Sequence, residues 1–175
     1  MPKQVQRNIG RKVALGGLIT ALAVIFLYLS NVLPTNRLFF YGLSTVFLLT
    51  MVIEYGPASA FAVYGATVLV AAILLPNKIP LIPYVLFFGY YGIFKYFVER
   101  IQHFVLEWIV KLCAFTAAMG VTYWLVSSVF FQSVTFKFPL WVMALLAEAV
   151  FIIYDIAYSL AAKYYVQRIR KLIGR

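Results

Sequence analysis

From Val13 to Leu33 the chain runs without a single charged residue, and comparable apolar runs recur almost to its end. As a helix rising about 1.5 Å per residue, a run of this length covers roughly 30 Å, the thickness of a bilayer's hydrocarbon. Composition agrees. The 175 residues are 65% hydrophobic and 11% charged, and mean hydropathy is +0.94; soluble domains carry about a quarter charged residues. The chain reads as an all-α integral membrane protein. A β-barrel is excluded, because barrel strands alternate apolar and polar residues over about 10 positions.

Proline, glycine and charge mark where the runs turn. The sharpest break is LPNKIPLIP, in which Pro76, Pro80 and Pro83 cannot share one uninterrupted helix, since each removes a backbone donor and restricts the residue before it. Counting outward from it predicts spans at about 13–33, 38–54, 58–75, 79–98, 108–131 and 140–162. These form one polytopic domain over 1–175, a six-transmembrane-helix bundle. Basic residues orient it. Lys3, Arg7, Arg11, Lys12, Lys95, Arg100, Lys111, Lys163, Arg168, Arg170, Lys171 and Arg175 fall on one side, whereas Arg37, Lys78 and Lys137 fall on the other. The positive-inside bias makes the first side, with both termini, cytoplasmic. The net charge of +10 then implies membrane lipid headgroups as its partner, not nucleic acid.

Ionisable groups inside the spans narrow the search for a site. Glu54, Lys95, Lys111 and Asp155 share a layer toward the cytoplasmic side, where mutual pairing offsets a cost of at least about 2.5–3.5 kcal/mol per intramembrane charge. Asp155 is expected to pair with Lys95 or Lys111, so that Asp155→Asn strands a lysine. Glu148 lies nearer the midplane with no base at its depth; either it is protonated and hydrogen-bonded to a hydroxyl, as burial favours, or it meets a cationic or hydrogen-bonding substrate. Tyr41, Tyr84, Phe87, Phe88, Trp124 and Trp141 fall in the outer halves of the spans. There they offer stacking surfaces for a planar or apolar small molecule, with Asn36, Arg37, Asn77, Ser127, Ser128 or Glu148 as polar anchors. The alternative is that these aromatics simply pack helices. His103 and Cys113 stand alone, no zinc-binding or hydrolase motif is present, and neither metal, cofactor nor enzymatic activity is expected.

Gly17 and Ala21 are four apart on the first span, with Ala14, Gly16 and Thr20 widening a face of small residues. Such a face lets another helix approach closely. With six short helices, that small-xxx-small pair and the phrase LPNKIPLIPYVLFFGYYGIFK, the chain resembles the substrate-binding S components of energy-coupling factor transporters. The resemblance implies a bacterial plasma membrane protein that captures a vitamin-like or aromatic/heterocyclic small molecule from outside. It also implies a partner, a scaffold membrane subunit carrying two ATPase subunits. The family docks through an alanine-xxx-alanine pair, and Gly17 and Ala21 stand at the matching positions. Its substrate sits beneath the outer loops, here 31–37, 76–80 and 132–139. By this reading Glu148, Asn36, Arg37, Tyr41, Asn77, Tyr84, Phe88, Trp124, Ser128 and Trp141 hold the substrate. The competing reading is a non-transport structural or scaffold protein, such as a six-helix partner of cell-wall machinery.

Overall fold

A computed structural model describes residues 2–101, 103–128 and 139–169. Among them there is no strand, and six helical segments are long and apolar enough to cross a membrane. The helices are α1 (Pro2–Val32), α2 (Arg37–Tyr55), α3 (Pro57–Leu74), α4 (Leu81–Leu86), α5 (Tyr91–Val98), α6 (Phe104–Ser128) and α7 (Leu140–Tyr164). The end expected for the fifth span and most of the loop expected at 132–139 lie outside the described residues. The chain forms two compact units, Met1–Tyr96 and Phe97–Arg175.

In the first unit, α1, α2 and α3 meet at a core of Ile19, Ala23, Leu48, Met51, Val52, Ala60, Val63 and Ile93. Small residues set the distance. A Cβ on Gly16 would lie 3.2 Å from Val63 Cγ2, so α1 and α3 are already in contact at that level. The turn from α2 to α3 occupies a single residue. Gly56 adopts φ +82°, which a side chain would disfavour, and Pro57 starts α3 where its missing N–H costs nothing. At the other end of α3, Lys78 Nζ donates to the Ala72 and Leu75 carbonyls, capping a helix terminus whose dipole favours a cation. Asn77 shapes the turn that follows. Its Oδ1 accepts from Ile79 N at 3.0 Å, and its carbonyl accepts from Asn31 Nδ2 at 2.7 Å.

The span expected as one helix over 79–98 is interrupted. α4 stops at Leu86, Phe87 leaves helical geometry (φ −146°, ψ −65°), and Phe88–Tyr90 form a 3-10 turn before α5 begins. Pro83 is not the cause, since it sits in the first turn of α4, where proline is tolerated. The break is held from outside by side chains.

The second unit is an antiparallel helix pair. Lys111 faces Asp155, Phe115 stacks on Phe151 with centroids 4.6 Å apart, and Thr116 bonds Glu148. α6 starts before the expected Trp108, bringing Glu107 into its first turn, where a carboxylate suits the helix dipole. Past Tyr164, a π-helical turn runs Tyr165–Ile169.

Candidate functional site

The interruption of the fourth span frees backbone carbonyls at membrane depth. In hydrocarbon each unsatisfied group costs several kcal/mol, so such a break survives only where protein supplies donors. Here hydroxyls do. Tyr64 donates to Val85 O at 2.8 Å and Tyr90 to Leu86 O at 2.7 Å, while Tyr41 donates to Pro80 O, just before α4, at 2.5 Å. Thr45 Oγ1 lies 2.8 Å from Tyr41 O and 2.9 Å from Phe88 O, sharing its proton between them. Ser44 Oγ sits 3.3 Å from both the Tyr84 hydroxyl and the Ala23 carbonyl oxygen.

The rings that carry these hydroxyls pack on one another. Tyr41 lies 5.3 Å from Phe88 and 6.5 Å from Tyr84, and Tyr64 lies 6.4 Å from Tyr84. Tyr84 is 0% and Tyr41 3% exposed. Tyr41, Tyr84 and Phe88 are therefore brought together, as a packed core against the broken span. The Tyr41 hydroxyl is spent on the Pro80 carbonyl and the Tyr84 hydroxyl meets Ser44. Of the polar residues expected beside them, Asn77 is exposed and spends its side chain on the turn, Asn36 is exposed, and Arg37 is half-buried at the start of α2. Arg37 Nε has no hydrogen-bond partner among the described residues.

A groove of about 500 Å³ opens between α1 and α3. Gly16, Gly17 and Thr20 form one wall and Ala58, Ser59, Ala62 and Ala66 the other, with Met51 and Val63 lining it too and Lys12 and Val13 from the start of α1. The two glycines differ. Gly16 is buried against Val63, whereas a Cβ on Gly17 would meet nothing within 4 Å. Gly17 and Ala21 are both exposed, so the small-residue pair singled out from the sequence is on an open face.

In the second unit, Lys111 and Asp155 of the expected charged layer belong to a cluster of one lysine and three carboxylates. Lys111, 1% exposed, places Nζ 2.6 Å from Glu107, 3.3 Å from Asp155 and 3.7 Å from Glu99. The expected partnership of Asp155 with a lysine is met by Lys111. Glu107 and Glu99 were not anticipated in it, because both read as loop residues. Further along the same helix pair, Thr116 Oγ1 donates to Glu148 Oε1 at 2.5 Å. Thr116 is its one hydrogen-bond partner among the described residues. Leu112, Cys113, Thr116, Ala117 and Glu148 line an open groove of about 430 Å³.

The remaining candidates of this unit are not gathered around Glu148. Trp124 and Trp141 are 60% and 67% exposed, and Ser128 is exposed at the end of α6. Sequence reasoning missed Thr116, Ser44, Thr45 and Tyr64. A hydroxyl inside an apolar run signals that some acceptor needs it, but the acceptors are set by helix register and by a break that no residue spacing announces. The chain matches no protein family, curated protein or solved structure with which it was compared.

Proposed function

We infer that this chain is the substrate-binding membrane subunit of an energy-coupling factor type importer. In this reading it lies in a bacterial plasma membrane with both termini cytoplasmic and docks on a scaffold subunit that carries two ATPases. The observation that supports it is the groove between α1 and α3. Glycine, alanine, serine and threonine line most of it, so a partner helix can come close to the backbone, the means by which helices associate in lipid. Lys12 at the end of the groove suits a partner helix that is apolar along its length and acidic at its end. Catalysis has no part in the reading.

Gly17→Leu tests it. Because nothing stands within 4 Å of a Cβ there, the fold should be kept, even strengthened slightly, since glycine is the poorer helix former by about 1 kcal/mol. Docking should weaken by about tenfold or more, seen as lost co-purification with the scaffold and its ATPases. Gly16→Leu should instead damage the fold, because its side chain runs into Val63. Recovery of an intact complex with Gly17→Leu would remove the docking argument.

Orientation is tested separately. A cysteine at Asn77, exposed in the turn after α3, should react with impermeant maleimide added to intact cells, while one at His103, exposed before α6, should react only after lysis. The reverse pattern inverts the topology. Ser133, the other outer position suited to such labelling, lies outside the described residues.

A second reading, a structural membrane protein without a transported substrate, draws on the aromatic cluster. Tyr41, Tyr84 and Phe88 fill the space a stacked ligand would need in the first unit. Saturable binding of a small molecule to the purified chain separates the two.

A further inference from the structure

We propose that the groove between α6 and α7 is a binding site for an organic ammonium group, with the Glu148 carboxylate as its counter-ion. The inference rests on the capture reading in one respect, that the chain takes up a small molecule at all; the kind of molecule follows from the groove.

Glu148 is the acidic residue of a groove otherwise lined by Leu112, Cys113, Thr116 and Ala117. Thr116 supplies one proton, to Oε1, which leaves the second oxygen without a protein donor among the described residues. A carboxylate at membrane depth needs more than one neutral hydrogen bond, because the cost of taking its charge out of water is several kcal/mol. The helix pair itself does not provide a cation. Lys111 is drawn to Glu107, Asp155 and Glu99, and Asp155 is two helical turns, about 10 Å, from Glu148. Lys163, the other base within α6 and α7, is fifteen positions along α7, roughly 22 Å away at 1.5 Å per residue. Among the described residues, Glu148 is thus the one charged residue lining the groove, and its local field favours a positive guest.

The walls select what accompanies the charge. Leucine, alanine and cysteine offer apolar contact and no further donors, so a polyhydroxylated or anionic ligand would leave its own polar groups unpaired. An amine on a compact apolar or aromatic body fits both features, one charge-assisted hydrogen bond at Glu148 and apolar contact beside it. The groove is open, so access needs no movement of the helix pair.

The test uses the purified full chain in detergent, with benzylammonium as probe and benzyl alcohol as its neutral counterpart, followed by titration calorimetry. Benzylammonium should bind saturably, and benzyl alcohol should not. Glu148→Gln, which keeps size and the acceptor for Thr116, should weaken benzylammonium by about 10- to 100-fold, the range of a hydrogen bond to a charged group. Ala117→Leu should weaken it similarly by filling the groove, with the carboxylate untouched and the melting temperature without probe unchanged. Absence of saturable binding to the wild-type chain, equal binding of the neutral analogue, or full affinity in either variant would overturn the proposal. Its failure is separable from failure of the importer reading. If Gly17→Leu still loses the scaffold while benzylammonium does not bind, the ammonium site alone is refuted; binding with undisturbed docking in Gly17→Leu refutes the docking argument and leaves this site standing.

Discussion

Lys111→Met should cost about 3–5 kcal/mol of unfolding free energy, the largest single-residue loss expected in this protein. The ammonium is almost wholly buried, with side-chain exposure of 2%, and faces Asp155 at 5% and Glu107 at 19%. Removing one member of a buried ion pair leaves its partner charged and poorly solvated, and such changes cost about 3–5 kcal/mol. Here the loss is compounded, because Asp155 and Glu107 then face each other without the cation between them. Glu99 adds little, being 47% exposed and 3.7 Å away, the regime in which ion pairs are worth about 0–1 kcal/mol. Asp155→Asn should be milder, about 1–2 kcal/mol on the scale of one buried hydrogen bond. It does not strand the lysine, which keeps Glu107 at 2.6 Å, and this corrects the expectation drawn from sequence. Adding Asp155→Leu to Lys111→Met should restore part of the loss, since an apolar pair replaces a broken ionic one. Equilibrium unfolding in detergent measures all of these; a loss below about 1 kcal/mol for Lys111→Met would show that the cluster does not hold α6 to α7.

Gly89→Ala should destabilise the first unit by about 3 kcal/mol, the upper part of the range for overpacking a closed core. A Cβ there would lie 2.5 and 2.8 Å from Tyr64 ring carbons and 2.9 Å from Tyr84 Cε1. Neither ring can easily retreat. Tyr64 is tied by its hydroxyl to Val85 O at 2.8 Å, and Tyr84 is 0% exposed. Moving Tyr64 would also free a carbonyl of the broken span inside the membrane, so the steric and polar penalties add. Against this, alanine restricts the unfolded chain more than glycine by about 0.4–1 kcal/mol, too little to reverse the sign. Gly65→Ala is the control, because a Cβ there meets nothing within 4 Å; it should be neutral or slightly stabilising. Equal melting temperatures for the two variants would mean that the aromatic packing around Gly89 is loose.

Helix number and position were legible because they depend on local quantities. Run length, proline and charge placed the turns at Pro34–Arg37, Gly56–Pro57 and Pro76–Pro80 to within a few residues, since bilayer thickness and missing backbone donors act on the chain itself. The same logic put Lys111 and Asp155 in one layer, and they do pair. What could not be read was everything that depends on rotation about a helix axis. Gly16 and Gly17 are adjacent in sequence, yet one is buried against Val63 and the other open, because successive residues point about 100° apart and only a neighbouring helix decides which is covered. The break at Phe87 was invisible for a related reason. Its apolar sequence continues like any helix, and the conformation is held by hydroxyls of Thr45 and Tyr64, donors that come from α2 and α3. Depth follows from counting along one chain, but partnership such as Thr116 with Glu148 requires the register of two helices, and that is fixed by how their side chains pack together.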